Sequence, residues 1–230
     1  MKKEDIKKII IGICALLLFE FSTVFKYIPI FLFNITQKQL SNSDELVSLI
    51  SFFISLMLAI ILLIVYRKEL IEEWDIMKKN FSQNMDIGLA CWAVGLIIMV
   101  ISNVFLTYVL KTGGAKNENT IQEYIKIAPI IMGLDVCILA PFYEELIFRK
   151  AIRNVFIKPY IYIPASFLIF GLVHIVYSAT VWTDWLYLIP YGALGGAFAF
   201  AYYKTDTIYT SISLHMIHNT LLFLLSITIK

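Results

Sequence analysis

Residues 46–66 read LVSLISFFISLMLAIILLIVY, and no side chain in this stretch carries a charge. A run of about 20 apolar residues can cross the hydrocarbon core of a bilayer as an α-helix, because each residue adds 1.5 Å of helix length. Seven runs of this kind follow one another along the chain, separated by short polar linkers. They cover residues 9–33, 46–66, 87–110, 127–148, 160–177, 185–203 and 208–229.

The overall composition leads to the same class of protein. The hydrophobic fraction is 60%, the charged fraction is 16% and the mean hydropathy is +0.79. A soluble globular domain is nearer half apolar and a quarter charged. We therefore predict an all-α, polytopic membrane protein with about seven transmembrane helices, six to eight being compatible with the pattern, and with residues 1–230 forming a single integral-membrane domain.

The distribution of basic residues predicts the orientation. The N-terminal stretch resembles a signal peptide, but no small-residue cleavage site follows its apolar core, so we interpret it as an uncleaved first span. Basic residues favour the cytoplasmic side of short loops. An N-in, C-out orientation places thirteen of the nineteen Lys and Arg residues inside: Lys2, Lys3, Lys7, Lys8, Arg67, Lys68, Lys78, Lys79, Arg149, Lys150, Arg153, Lys158 and Lys204.

Several classes of site are disfavoured by the sequence. The net charge of +2, without a basic patch interleaved with aromatics, gives no basis for nucleic-acid binding. Three scattered cysteines, Cys14, Cys91 and Cys137, predict neither a disulfide framework nor a thiolate metal site. The GxxxG pair Gly192 and Gly196 is typical of close helix packing in lipid, which we favour over a direct role in a site.

Ionisable side chains inside the apolar runs are few. Charge at membrane depth is costly, so such residues usually have a partner or a function. All three histidines of the chain fall in or next to the last three runs, which favours a shared polar site. The set is Glu20, Lys26, Asp135, Glu144, Glu145, His174, His215 and His218.

Helix geometry separates the two adjacent glutamates of the stretch APFYEELIFRK, residues 140–150. Arg149 is four residues after Glu145 and lies only about 40° from it around a helix, which is the favourable order for an intrahelical ion pair. The rotation from Glu144 to Arg149 is about 140°. We therefore predict that Glu145 pairs with Arg149, and that Glu144 stays free to face a cavity.

Three motifs in the second half of the chain resemble a known family. EELIFR fits EExxxR, with Glu144, Glu145 and Arg149; FGLVH fits FxxxH, with Phe170 and His174; HMIHN fits HxxxN, with His215 and Asn219. Their order on successive apolar segments is similar to that of the CAAX protease and bacteriocin-processing family of intramembrane proteases, also called Abi. The resemblance covers a family-like core of about residues 125–229.

The resemblance implies an intramembrane endopeptidase that cleaves a membrane-associated protein or peptide precursor. In that reading Glu144 activates a water molecule with help from His174, and His215 and Asn219 hold the oxyanion. Glu145, Arg149, Phe170 and His218 would have supporting roles. Members of the family trim prenylated CAAX proteins or take part in bacteriocin processing, self-immunity and peptide signalling, and are often labelled metalloproteases.

Zinc is a rival to the metal-free mechanism. If a metal is used, Glu144, His174 and His215 are the candidate ligands, because a glutamate and two histidines can bind zinc. The HExxH motif of soluble zinc proteases is absent from the chain. We therefore predict that no cofactor is strictly required.

Two other classes of function compete with proteolysis as interpretations of these residues. A transporter would also carry buried carboxylates and histidines, but it usually shows repeated halves, which this chain lacks. A non-catalytic scaffold or bacteriocin self-immunity protein is the main alternative. The expected partners are the lipid bilayer and a membrane-associated peptide or protein, with no nucleic acid, and the expected location is a bacterial cytoplasmic membrane.

Overall fold

The computed structural model describes residues 3–228, and between them it contains helices and no strands, which confirms the all-α prediction. Lys2 and Ile229, which belong to the predicted cytoplasmic N-terminus and the last span, lie outside this range. The α-helices are α1 Lys3–Glu20, α2 Tyr27–Leu32, α3 Gln37–Asn42, α4 Asp44–Val65, α5 Arg67–Lys79, α6 Phe81–Val104, α7 Lys116–Ile127, α8 Pro129–Leu134, α9 Ala140–Glu145, α10 Ile152–Val155, α11 Pro159–Ile175, α12 Leu188–Thr205 and α13 Ile208–Thr228.

Each of the predicted apolar runs is helical over most of its length, but not every run is one straight helix. By length and composition, α4, α13 and the segment 81–109 are long and apolar enough to cross a membrane, and within residues 3–228 these are the three that qualify singly. A fourth span arises if α1 and the segment 22–32 count together, although they meet at a bend of 52°. The structure is that of a polytopic membrane protein.

The fourth run differs most from its prediction. The linker was expected to begin at Arg149, but helix continues from α8 to the end of α10 at Val155. Two π-helical stretches, Asp135–Leu139 and Leu146–Ala151, interrupt it. Pro141 lies in the first turn of α9, two residues after the first of them, where a proline is compatible with a helix.

Small residues bring the helices that carry the site close together. A methyl group added at Gly192 would lie 2.8 Å from the Phe167 ring, and one at Gly195 would lie 3.0 Å from Cβ of Phe170. On the other side of α12, a methyl group at Gly95 of α6 would lie 2.7 Å from Cβ of Ala197. The close packing predicted for Gly192 is therefore confirmed, whereas a methyl group at Gly196 would meet the Phe167 ring at an ordinary 3.5 Å. Helix α12 packs between α6 and α11.

The polar contacts divide between the two ends of the molecule. At one end Glu73 of α5 accepts a hydrogen bond from Lys150, one from the Tyr202 hydroxyl at 2.9 Å and one from the backbone N–H of Ile208 at 2.7 Å. Arg153 pairs with Asp206 at 2.6 Å at the same end. We call this end the Glu73 rim, and it joins three linkers that were all predicted to be cytoplasmic.

The opposite end of the molecule is held by a further ion pair. Lys116, at the start of α7, lies 2.7 Å from Asp184 in the linker between α11 and α12. Asp184 also accepts hydrogen bonds from the backbone N–H groups of Thr180 and Val181 at 2.7 and 3.1 Å. Both linkers were predicted to be external, so every described contact between linkers agrees with the alternation of sides.

Reporter fusions test the absolute orientation. Fusions at Lys79 and Lys158 are expected to report a cytoplasmic location, and a fusion at Lys116 an external one, because basic residues accumulate on the cytoplasmic side. The measurement is a paired phosphatase and fluorescent-protein readout at each position. An external signal at Lys158 would invert the assignment of both ends.

The Lys116–Asp184 pair predicts a pH-dependent contribution to stability. The hydrogen bond from Lys116 and those from the two backbone N–H groups hold the pKa of Asp184 well below its usual range. A carboxyl group with a lowered folded-state pKa stabilises the fold above its unfolded pKa of about 4, and the stabilisation is lost as pH falls through the folded-state value. We expect Asp184→Asn to lower Tm by about 2–4 °C at neutral pH. A loss of about 1 kcal/mol of stability, the typical effect of removing a side chain that caps backbone N–H groups, shifts Tm by that much in a chain of this size.

Melting curves between pH 3 and pH 8 measure this difference. The Tm gap between wild type and Asp184→Asn should be constant above about pH 5 and should shrink only in strongly acidic buffer. Asp75→Asn is a matched control, because Asp75 pairs only with Lys78 on its own exposed helix face. A gap that narrows already between pH 6 and pH 7 would contradict the assignment.

Candidate active site

A single cavity of about 400 Å³ collects the polar residues that the motifs single out. Three helices supply them: α9 carries Glu144, α11 carries His174, and α13 carries the rest. Six of the candidate residues line the cavity, which are Glu144, Phe170, His174, His215, His218 and Asn219. Sequence reasoning therefore grouped these residues correctly, although their roles remain predictions.

Glu145 and Arg149 lie behind the cavity wall and form the predicted ion pair. Arg149 Nη1 is 3.2 Å from Glu145 Oε1, and neither side chain has any exposed surface. The guanidinium carbon lies 4.2 Å from the centre of the Phe170 ring and 5.5 Å from that of Phe198. The aromatic faces supply cation–π contacts in place of water, which is how this cation is accommodated in the interior.

Glu145 also makes a contact that the sequence did not predict. Its Oε1 atom lies 2.8 Å from Nδ1 of His215, across seventy positions of chain. Helix periodicity predicts which residues of one helix lie on the same face, but it does not predict contacts between two helices. The contact of Glu145 with His215 therefore could not be inferred from sequence spacing. Glu145 is therefore both the partner of Arg149 and the group that fixes the orientation of the His215 ring.

Glu144 faces the other nitrogen of the same ring. The distance from Glu144 Oε2 to His215 Nε2 is 3.8 Å, and Glu144 makes no hydrogen bond among the described residues. Its own helix offers it no cation, as predicted, because Arg149 is turned towards Glu145. A carboxylate in this position can accept a proton from a water molecule in the cavity.

His174 is anchored within its own helix. Its Nδ1 atom lies 2.7 Å from the carbonyl oxygen of Phe170, one turn earlier in α11. The ring stacks on Tyr191 of α12, with centroids 4.6 Å apart and planes 25° apart. Phe170 thus contributes its carbonyl to His174 and its ring face to Arg149, which explains physically why an FxxxH pair belongs together.

The last helix carries two further anchored side chains. Asn219 donates a hydrogen bond from Nδ2 to the carbonyl oxygen of Val136, at 2.9 Å. Val136 lies in the first π-helical stretch, where the ordinary i to i+4 pairing of the backbone is interrupted. His218 accepts a hydrogen bond at Nδ1 from the indole N–H of Trp92 on α6, at 3.3 Å.

This geometry agrees with the comparison with known families. The family described as "Type II CAAX prenyl endopeptidase Rce1-like" matches residues 126–221, the segment that contains all three motifs. Over this segment the chain is similar to the CAAX protease and bacteriocin-processing family. The match and the relatives below support a membrane protease at the family level.

Two curated proteins that are similar to this chain come from bacteria. "Putative membrane peptidase YdiL" of Bacillus subtilis (strain 168) is 29% identical over 199 residues, which are 84% of this chain and 76% of the relative. "UPF0177 protein YvdC" of Lactococcus lactis subsp. lactis (strain IL1403) is 25% identical over 141 residues, 60% of this chain and 52% of the relative. No solved structure gave a significant match.

Two residues near the site lie outside the motifs of the CAAX protease and bacteriocin-processing family and were missed in the sequence. Trp92 contacts His218, and Tyr191 covers His174. Both are aromatic residues in apolar runs, where aromatic side chains are common, so their composition carries no signal. Only the packing of α6 and α12 against the other helices shows that Trp92 and Tyr191 contact residues of the site.

The remaining ionisable residues of the apolar runs lie apart from this cavity. Glu20 accepts a hydrogen bond from the Tyr177 hydroxyl at 2.7 Å, and Lys26 lies 5.2 Å from the centre of the Tyr27 ring. Asp135 lies against Ser55 of α4. None of the three is among the residues that line the cavity.

The side chains of the cavity are not spaced as ligands of one zinc ion would be. Within residues 3–228 no three or more His, Cys, Asp and Glu side chains are placed so that they could share one metal ion. Nδ1 of His215 contacts Glu145 and Nδ1 of His174 contacts a backbone carbonyl, which leaves Nε2 of each ring on the cavity side. The misfit to a metal ion therefore lies in the spacing of the side chains and not in which ring nitrogen faces the cavity.

Proposed function

We propose that the chain is an intramembrane endopeptidase that hydrolyses a peptide bond in a membrane-associated protein or peptide precursor, with Glu144 as the general base. One observation carries the proposal. The carboxylate of Glu144 has no ion-pair partner on its own helix and lies 3.8 Å from Nε2 of His215 in a cavity that His174 and Asn219 also line. A base and groups that can position water therefore share one cavity.

The proposed reaction uses one water molecule and no covalent intermediate. Glu144 takes a proton from water as the oxygen attacks the carbonyl carbon of the scissile bond. The carbonyl π electrons move to oxygen and form an oxyanion. When the oxyanion collapses, the C–N bond breaks and the departing nitrogen takes the proton from Glu144. The products are a carboxylic acid and an amine, and Glu144 returns to its starting state.

Glu145 and Arg149 support this step without touching the substrate. The buried pair fixes Nδ1 of His215, so that Nε2 of the ring points to the side of Glu144. His174 is held by Phe170 and Tyr191 and presents its own Nε2 edge to the cavity. Positioning of this kind stabilises the transition state because the groups need no reorganisation during the reaction.

The shape of the cavity suggests where the substrate enters. Beyond Glu144 the wall is formed by polar residues of α6 and α7, among them Asn103, Asn117, Glu118 and Gln122. This is the end of the molecule that holds the Lys116–Asp184 pair, opposite the Glu73 rim. With the predicted orientation it is the outer face of a bacterial cytoplasmic membrane, so a secreted peptide precursor is the substrate class we favour.

Incubation with candidate substrates tests the proposal. Purified protein in lipid nanodiscs is mixed with a panel of membrane-anchored peptides that vary in the anchor and in the flanking sequence, and new termini are detected by mass spectrometry. We expect cleavage of at least one panel peptide next to its anchor. A protein that cleaves none of them but still confers bacteriocin protection on cells would favour the non-catalytic immunity alternative.

A further inference from the structure

Each of the three histidine rings in the cavity is anchored at Nδ1, and each by a chemically different group. The partners are a backbone carbonyl for His174, a carboxylate for His215 and an indole N–H for His218. A neutral imidazole carries one proton, on one of its two nitrogens, and the partner of the first nitrogen decides which one. The three anchors therefore assign the proton that each ring presents to the cavity.

Two of the rings present a lone pair. The carbonyl of Phe170 can only accept a hydrogen bond, so His174 carries its proton on Nδ1. The carboxylate of Glu145, paired with Arg149, also only accepts, so His215 carries its proton on Nδ1 as well. In the neutral state neither ring has an N–H at Nε2, and neither can donate a hydrogen bond to an oxyanion from that side.

The third ring has the opposite tautomer. The indole nitrogen of Trp92 can only donate, so Nδ1 of His218 must be the acceptor and the ring proton lies on Nε2. His218 lines the cavity, and its Nε2 has no hydrogen-bond partner among the described side chains and is not enclosed by protein atoms. This N–H is a fixed donor that is free to bind a group inside the cavity.

We propose that His218 is a further catalytic residue, whose Nε2–H stabilises the oxyanion together with the second N–H of Asn219. The inference rests on the proposed function and deepens it. The family resemblance implied that His215 and Asn219 hold the oxyanion and that His218 has a supporting role. The tautomers indicate instead that His218 holds the oxyanion with Asn219, and that His215 has the supporting role. His218 donates a hydrogen bond throughout and transfers no proton, so the balance of the hydrolysis is unchanged.

Trp92 is a positioning residue in this proposal. It acts through the tautomer of His218 and does not touch the substrate. Because α6 lies outside residues 126–221, the part of the chain that matches the family supplies the donor but not the group that fixes it.

Nitrogen NMR tests the tautomers without a substrate. The chain contains three histidines, so protein labelled with ¹⁵N-histidine gives three ring systems, which the single variants His174→Gln and His218→Gln assign. We expect the proton on Nδ1 in His174 and His215 and on Nε2 in His218. In Trp92→Phe the His218 signal should shift towards a mixture of tautomers, while Cys91→Ala, the neighbouring control, should leave it unchanged. A proton on Nδ1 of wild-type His218 overturns the inference whatever the activity.

Kinetics test the role of the donor. For the panel peptide that the wild-type protein cleaves fastest, His218→Phe should lower kcat by about 10²–10³-fold with little change in KM, the loss expected for one oxyanion donor. His218→Gln, whose amide can donate from a similar position, should recover at least about tenfold of that loss, and Ile217→Val, a lipid-facing control, should match wild type.

The outcomes separate the two levels of the proposal. A His218→Phe variant that keeps kcat within threefold of wild type, or that changes only KM, overturns the oxyanion role while proteolysis stands. Cleavage of no panel peptide by the wild-type protein, with the tautomers as assigned, contradicts the proposed function and the oxyanion role with it.

Discussion

Glu144→Gln is expected to abolish cleavage while the protein stays folded in the membrane. Glutamine has nearly the same shape but cannot take a proton from water, and removal of a general base costs about 10²–10⁴-fold in rate. Glu144 makes no hydrogen bond among the described residues, so its loss should leave the packing unchanged. Turnover of the panel peptide and Tm, measured on the same preparation, check both parts.

Glu20→Gln is the matched control for that variant. It makes the same chemical change in another apolar run, where the carboxylate meets only the Tyr177 hydroxyl at the protein surface. It should retain wild-type turnover. If Glu144→Gln stayed active while Glu145→Gln lost all turnover at normal stability, the roles of the two glutamates would have to be exchanged.

Arg149→Met should cause the largest loss of stability. It leaves the fully buried carboxylate of Glu145 without its cation, and breaking one side of a buried pair costs about 3–5 kcal/mol. For a chain of this size that corresponds to a fall in Tm on the order of 10 °C. Activity should fall as well, because Glu145 orients His215.

A second substitution tests the cause. In the double variant Arg149→Met with Glu145→Gln neither charge of this pair remains, and we expect it to recover more than half of the lost Tm, since replacing a whole buried pair is far less costly than breaking it. Arg153→Met is the control, because its partner Asp206 is mostly exposed. Equal melting temperatures for the single and the double variant would show that the loss comes from packing, not from the unpaired charge.

The helices and the motif pairs within a helix were predictable, because they depend on local periodicity. Glu145 and Arg149 are one turn apart, and so are Phe170 and His174; both pairs contact each other as their spacing requires. Contacts between helices were not predictable. The bond from Glu145 to His215 and the one from Trp92 to His218 join residues 70 and 126 positions apart.

Two of the polar linkers contain helices that the sequence analysis did not predict. The stretches around residues 67–80 and 111–123 were expected to be plain linkers, yet they contain α5 and α7. Their apolar residues pack under neighbouring helices, with Leu70 and Met77 of α5 and Ile125 of α7 all buried. Charge content shows that such segments lie outside the hydrocarbon core, but it does not distinguish a loop from a short helix at the rim.

The Glu73 rim has a consequence for how the protein is made. The partners of Glu73 lie far ahead in the chain: Lys150 is 77 positions later, Tyr202 is 129 and Ile208 is 135. During synthesis the carboxylate is in place long before any of them leaves the ribosome. Until then the Glu73 carboxylate can remain unpaired at the membrane surface, because an unpaired charge in contact with water has little energetic cost. The rim can close only after the start of α13 has been synthesised, so Glu73 cannot hold the beginning of this helix until 135 further positions of chain have followed it.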